Sequence, residues 1–165
     1  MAIIKEFQAR FSDLVSEMDL NKKTEIAKAI GITYATFVKI YNYGILPSVP
    51  IVIRIADFFH VSIEYLLGNT DDERIDLTPV PATFRARLDL LRLKNNIPTV
   101  YDLSKRCHIH RNNIAQWLKK DYLPAMEDLS ILANLFNVSV DYLVGRCEDE
   151  NIFYNQDFLP RRFHA

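Results

Sequence analysis

The sequence contains an internal repeat that covers most of its length. When the chain is shifted by 77 residues, residues 7–73 align with residues 84–150 without a gap. About a quarter of the aligned positions are identical, and most of the others keep their apolar or polar character. The match is closest near the end of each copy, where VSIEYLLG (61–68) aligns with VSVDYLVG (138–145). A repeat this long is a small domain rather than a solenoid unit, so we predict two copies of one domain.

The repeat also predicts the domain boundaries. We expect a first domain at 1–73, a linker at 74–83, a second domain at 84–150 and a C-terminal tail at 151–165. Each domain is small but long enough to bury a core. Two prolines stiffen the linker toward an extended form. The tail is too aromatic for a typical disordered end, and we expect it to pack on a domain or a partner. Its aromatic residues are Phe153, Tyr154, Phe158 and Phe163.

Composition and motifs exclude several classes of function. Hydrophobic residues make up 49% of the chain and charged residues 25%, which is typical of a globular protein. No apolar run approaches the ~20 residues that span a bilayer, so we predict no membrane partner. The start of the chain does not resemble a signal peptide, and the two cysteines do not require an oxidising compartment, so we predict a cytoplasmic location.

Reactive residues give little support to an enzyme. The sequence has no P-loop, no G-x-S-x-G and no H-E-x-x-H motif. Cys107 lies close to His108 and His110, but it aligns with the apolar Ile30 of the first copy. We therefore predict a buried thiol rather than a zinc ligand. The chain is predicted to have no enzymatic activity, no cofactor, no metal and no small-molecule substrate.

Apolar residues recur at helical spacing in both copies, and no alternating strand pattern stands out, which predicts an all-α fold. In the first copy the predicted helices are 7–18, 23–30, 34–42, 49–59 and 63–67. In the second copy Phe84, Leu88, Leu91 and Leu93 mark a first helix that ends near Asn95. Thr99 caps the second helix, residues 111–120 form the third, the fourth follows Pro124, and Ser139 caps a fifth that ends at Gly145.

Each copy thus has two short helices joined by a tight turn and braced by three others. The stretches EIAKAIGITYATFVKIYNYGILPS and DLSKRCHIHRNNIAQWLKKDYLPA resemble the phage-repressor (Cro-like, XRE) helix-turn-helix family. The first copy has the residues typical of this family at Ile26, Ala27, Gly31, Thr33, Pro47 and Ser48. The second has Leu103, Ser104 and Pro124, but it carries His108 instead of glycine and His110 instead of serine.

The resemblance implies two tandem five-helix, lambda-repressor-like domains in one chain. It also implies a sequence-specific DNA-binding transcriptional regulator, in particular a repressor of the phage or mobile-element type. In such domains the third helix enters the major groove of double-stranded DNA. Arginine can pair with guanine, asparagine and glutamine with adenine, and lysine with phosphate. The candidate DNA contacts are His110, Arg111, Asn112, Gln116, Lys119 and Lys120 in the second copy, and Thr33, Tyr34, Lys39 and Asn42 in the first.

The two copies differ in charge and in apolar surface. The chain has a net charge of −1, yet residues 84–147 carry ten basic and six acidic residues, whereas residues 1–70 carry seven of each. The fourth helix of the first copy is apolar on several sides, which indicates either a protein interface or a thicker local core. The candidate interface residues are Pro50, Ile51, Ile53, Tyr41 and Tyr43.

These differences suggest a division of labour. The second copy would read DNA, while the first would assist or mainly dimerise, either as a homodimer contact or against the other copy. A different class of function stays open, namely a protein-interaction module such as an antirepressor or inhibitor that keeps the fold without binding DNA.

Overall fold

The computed structural model describes residues 2–73, 80–120, 122–148 and 150, with side chains from residue 5 onward in the first helix. Over these residues the chain forms ten helices and no strand, which confirms the predicted all-α class. Most of the predicted linker (74–79) and the whole aromatic tail (151–165) lie outside the described residues.

The chain folds into two compact units, the first containing residues 2–73 and the second residues 80–150. The helices of the first unit are α1 (Ala2–Ser16), α2 (Lys23–Ile30), α3 (Tyr34–Tyr43), α4 (Val49–Phe59) and α5 (Ile63–Leu66). Those of the second unit are α6 (Phe84–Lys94), α7 (Val100–Cys107), α8 (Arg111–Lys120), α9 (Met126–Phe136) and α10 (Val140–Leu143). Adding 77 to the bounds of α2, α3, α4 and α5 gives the bounds of α7, α8, α9 and α10, so the repeat in sequence is also a repeat in helix position.

Side-chain caps explain where many of these helices begin. The hydroxyls of Thr33 and Ser62 in the first unit accept backbone N–H groups of α3 and α5. Those of Thr83, Thr99 and Ser139 do the same for α6, α7 and α10. Each cap satisfies a donor that the first turn of a helix leaves without an intrahelical partner. The predicted caps Thr99 and Ser139 are therefore confirmed.

The first helix of each unit differs most from expectation. The sequence predicted a helix at 7–18, but α1 spans Ala2–Ser16 because no glycine or proline interrupts the residues before Phe7. It ends early, with the Met18 N–H donating to the Val15 carbonyl in a closing turn. In α6 the pattern that included Leu93 was misleading, because Leu88 and Leu91 are buried whereas Leu93 is 75% exposed.

Each unit has its own apolar core, and equivalent positions fill it. Fully buried pairs related by the 77-residue shift include Val52 with Leu129 and Ile55 with Leu132. Such enclosed side chains provide most of the favourable free energy of folding for a domain of this size. Cys107 is also buried, as its alignment with Ile30 predicted.

The end of each unit is tied to its first helix by the same three residue types. In the first unit Arg10 lies 4.3 Å from the centroid of the Tyr65 ring, and the Tyr65 hydroxyl donates to Glu73 Oε1 at 3.0 Å. In the second unit the equivalent residues are Arg87, Tyr142 and Glu150, with distances of 4.0 Å and 3.4 Å. We call each set an Arg–Tyr–Glu clamp. It combines a cation–π contact with a hydrogen bond and fixes the point at which the chain leaves the unit.

The last residues of the predicted linker pack against the second unit. The Val80 N–H donates to the Gly145 carbonyl at 3.3 Å, and a Cβ on Gly145 would overlap the Ala82 carbonyl oxygen. Thr83 is the N-cap of α6. Glycine is therefore needed at position 145 both for this close approach and for its φ of 79°.

Candidate nucleic-acid interface

The second unit holds α7 and α8 together through a tight, internally bonded turn. His108 follows α7 with a φ of 57°, in the left-handed region that usually favours glycine. Ile109 is buried, and its carbonyl accepts the hydroxyl of Ser104 at 2.7 Å. Leu103 and Ile114 anchor the two helices in the core. The direction in which α8 projects is therefore set by buried contacts and by this hydrogen bond.

His110 directly precedes α8, at the position where the family that the sequence resembles usually has serine or threonine. Its Nδ1 accepts the backbone N–H of Asn112 at 3.2 Å. In the first unit Thr33 performs the same task by accepting the Thr36 N–H at 3.1 Å. The residue thus serves as a cap as well as lying on the candidate surface.

The remaining polar residues of α8 lie on its exposed side. Trp117 is buried with its ring 6.2 Å from that of Phe84, which turns one face of α8 toward the core. All six residues predicted for the second copy are exposed: His110, Arg111, Asn112, Gln116, Lys119 and Lys120. The structure therefore places an arginine, two amide-bearing side chains and two lysines along one solvent-facing helix.

One residue at this surface was missed by the sequence analysis. The hydroxyl of Tyr122 donates to Gln116 Oε1 at 2.8 Å, across the loop that follows α8. This bond uses one of the two lone pairs of the amide oxygen and orients the Gln116 side chain, leaving the second lone pair and the NH₂ group available. In the first copy the equivalent of Tyr122 is Ile45, so alignment alone gives no sign of a hydrogen bond.

Two more exposed cations lie at the end of α7. Lys105 and Arg106 occupy its last turn, and the Lys105 Nζ lies 4.8 Å from the centroid of the Tyr101 ring. With the two lysines that end α8, they give the second unit basic residues on both helices of the turn. Such a local positive surface attracts phosphate even when the whole chain is close to neutral.

The equivalent surface of the first unit is aromatic and only weakly basic. The predicted residues Thr33, Tyr34, Lys39 and Asn42 are all exposed. Tyr43 at the end of α3 is 71% exposed. An open pocket of about 240 Å³ lies between the end of α3 and the start of α4. Its lining includes Lys39, Ile45, Leu46, Pro47 and Ile51.

The residues predicted as a protein interface are accessible to different degrees. Pro50 is exposed, whereas Ile51 and Ile53 are half-buried beside the fully buried Val52. Tyr41 is also half-buried, since its ring stacks on Phe37 with the centroids 5.4 Å apart. The apolar residues of α4 are thus partly in the core and partly at the surface.

Neither a metal site nor a membrane span is found where the chain is described. No group of three histidine, cysteine or acidic side chains within those residues could hold a metal ion. Among the described helices, none is both long enough and apolar enough to cross a bilayer.

Comparison with known proteins supports the helix-turn-helix assignment of the second unit. A family model described as "Helix-turn-helix" matches residues 90–143, about a third of the chain, from within α6 to the end of α10. No curated protein and no solved structure matches the chain. That the first copy is a second domain of this kind stays a prediction. Residues 90–143 form an XRE-type helix-turn-helix domain, which indicates a DNA-binding regulator.

Proposed function

We propose that the protein is a sequence-specific DNA-binding transcriptional regulator whose second unit reads the major groove through α8. The observation that carries this proposal is the exposed set at the start of α8, namely Arg111 and Asn112 with Gln116 one turn later. These are the side chains that pair bidentately with guanine and adenine. They lie within the matched helix-turn-helix domain, where the N-terminal end of the second helix of the motif meets the bases.

In this proposal the remaining polar groups position the domain on DNA. Lys119 and Lys120 at the end of α8 would contact phosphates, because flexible ammonium groups suit a backbone with one charge on every nucleotide. Such contacts carry no sequence information but fix register and orientation. His110 would keep the first turn of α8 in place through its bond to the Asn112 N–H.

We further propose that the first unit is a second helix-turn-helix domain that assists binding and mainly dimerises. The helix bounds of the first unit match those of the second unit, which supports a second helix-turn-helix domain. Tyr43 and Ile45 are exposed beside the α3–α4 pocket, which supports a role in dimerisation, because apolar surface of this kind usually marks an interface. A dimer would present paired reading heads to a palindromic site. By resemblance, the regulator would be a repressor of the phage or mobile-element type.

Arg111→Ala tests the role of α8. Sequences selected from a random DNA pool by the full chain would serve as the probe in a fluorescence anisotropy titration. We expect the variant to lose roughly 1–3 kcal/mol of binding free energy at one base pair, with relaxed preference there. Tyr34→Ala, at the equivalent position of the first unit, is the matched control and should leave that base preference unchanged.

The assignment fails if Arg111→Ala, Asn112→Ala and Gln116→Ala all bind the selected sequence as tightly as the unchanged chain. A folded protein that binds no DNA even at low salt would instead favour the second class of function. The molecule would then be an antirepressor or inhibitor that contacts another protein through the aromatic surface of the first unit.

A further inference from the structure

The second unit carries an apolar strip on its first helix. Ala86, Leu90 and Leu93 are exposed at successive turns of α6, with Leu90 at 52% and Leu93 at 75%. Next to Leu93 is an open pocket of about 280 Å³, whose other lining residues are Asn96, Ile97 and Pro98. We call this surface the α6 strip. Single exposed leucines are common on proteins, but a row of them leading to a pocket is typical of a docking surface.

The first unit shows that the domain does not need leucine at these positions in order to fold. The residues aligned with Leu90 and Leu93 are Asp13 and Ser16, which are also exposed on α1. Both helices bury their opposite sides in the same way, with Leu14 and Leu91 as an equivalent buried pair. The leucines are therefore particular to the second unit, and its own core does not account for them.

The chain leaves the second unit beside this strip. The Lys94 Nζ donates to both carboxylate oxygens of Glu150, at 2.9 Å and 2.8 Å, and Lys94 directly follows Leu93 at the end of α6. Tyr142 of the Arg–Tyr–Glu clamp holds the same carboxylate. Whatever follows Glu150 must therefore start next to the strip.

The residues that follow Glu73 and Glu150 differ in the same way as the surfaces of α1 and α6. Glu73 is followed by Arg-Ile-Asp, whereas Glu150 is followed by Asn and then by Ile152, Phe153 and Tyr154. The first unit, whose first helix is polar at these positions, thus continues into a charged segment. The second unit, whose first helix carries the leucines, continues into three large apolar residues. Three residues span at most about 10 Å, so Phe153 lies no farther than that from Glu150, which Lys94 ties to the end of α6 beside Leu93.

We propose that residues 152–154 dock on the α6 strip of their own chain, with Phe153 in the pocket beside Leu93. The docking buries apolar side chains that would otherwise face water on both partners. The contact is intramolecular and the segment is short, so its effective concentration at the strip is high. The part of the tail that follows residue 154 then begins at a defined place on the second unit.

Chymotrypsin cleavage of the full chain tests this docking. Cleavage after Phe153 and Tyr154, measured by mass spectrometry under native conditions, should accelerate by roughly tenfold or more in Leu90→Asp/Leu93→Ser. This variant carries the residues of the first unit at exposed positions, so Trp117 fluorescence should still report a cooperative urea transition, which shows that the second unit folds. Leu20→Ser, which removes an exposed leucine from the first unit, is the control and should leave the cleavage rate unaltered.

A second measurement identifies the partner of the strip. The methyl resonances of Leu90 and Leu93 should shift in Phe153→Ser, because the aromatic ring no longer lies over them. Combining Phe153→Ser with Leu90→Asp/Leu93→Ser should accelerate cleavage after Tyr154 no further than either change alone, since both remove the same contact.

Three results would overturn the proposal. A cleavage rate equal to that of a free peptide with the tail sequence would show that nothing protects the segment. A slow rate that the two leucine changes leave unaltered would show that the segment docks elsewhere. A rate that depends on protein concentration and changes together with the oligomeric mass would show that a second copy covers the strip.

Discussion

At the scale of single residues, the two thiols show how strongly position controls chemistry. Cys147 is fully buried next to the Arg–Tyr–Glu clamp, with Arg87 donating to its carbonyl at 3.3 Å. Burial raises the pKa of the Cys147 thiol to about 11, and the negative charge of Asp141 acts in the same direction. Burial also raises the pKa of the Cys107 thiol. Both residues behave as small apolar side chains rather than as nucleophiles.

The raised pKa of Cys147 predicts a loss of stability in alkali. The thiol stays protonated in the folded chain up to about pH 11, but it loses its proton near pH 9 in the unfolded chain. The folded state therefore binds more protons between these values, and the free energy of unfolding falls as pH rises from about 9 to 11. Urea unfolding followed by Trp117 fluorescence measures this decrease. Cys147→Thr, which carries the residue of the first copy, should lack this part of the decrease, and an equal pH dependence in both proteins would contradict the prediction.

At the scale of elements, the turn between α7 and α8 contains a residue with an unfavourable backbone conformation. His108 has a φ of 57°, where the first unit has Gly31 with a φ of 84°. A side chain in this backbone region lowers the free energy of unfolding by about 1–2 kcal/mol. Glycine avoids this strain, but it loses more conformational entropy on folding, so the substitution regains only part of that energy. His108→Gly should therefore raise the free energy of unfolding of the second unit by about 0.5–1 kcal/mol.

Equilibrium urea unfolding provides the measurement for His108→Gly, and a second glycine substitution provides its control. Arg106→Gly lies two residues earlier, inside α7, where glycine should lower the free energy of unfolding by up to about 1 kcal/mol. Opposite signs for the two variants would identify the backbone conformation as the cause. A destabilised His108→Gly would show instead that the histidine side chain makes a contact worth more than the strain.

The elements also show what a sequence can and cannot predict. The bounds of α2 and α4 were predicted to the residue, because hydrophobic period, caps and the repeat all gave the same answer. Leu93 was misplaced because it lies two residues after Leu91, and positions two apart on a helix point in nearly opposite directions.

The candidate site was predictable only in part, for a physical reason. Exposure of Arg111, Asn112 and Gln116 follows from the helical spacing of the buried Ile114 and Trp117. The bond from Tyr122 to Gln116 depends instead on the path of a loop, and no periodic pattern encodes that path. The Arg–Tyr–Glu clamps use the same residue types in both copies, yet a single sequence does not show that an arginine and a tyrosine 55 positions apart meet.

At the scale of the whole molecule, charge is unevenly divided between the two units. The net charge of −1 conceals an excess of four basic residues in 84–147 and a balance of charges in 1–70. If the second unit alone binds phosphates, the salt dependence of DNA binding belongs to that half of the chain. The proposed division of labour therefore predicts different effects for lysines in the two units.

Two lysine variants of the full chain separate the units. In Lys120→Gln the slope of log K against log salt should fall by about one, because one phosphate contact is lost, with nearly uniform weakening across DNA sequences. Lys28→Gln makes the same chemical change in α2 of the first unit and should leave the slope unaltered. Anisotropy titrations at four or more salt concentrations give both slopes. An equal fall in both variants would mean that the first unit also lies against the DNA backbone, in which case the two units act as tandem reading heads rather than as a reader and a dimerisation domain.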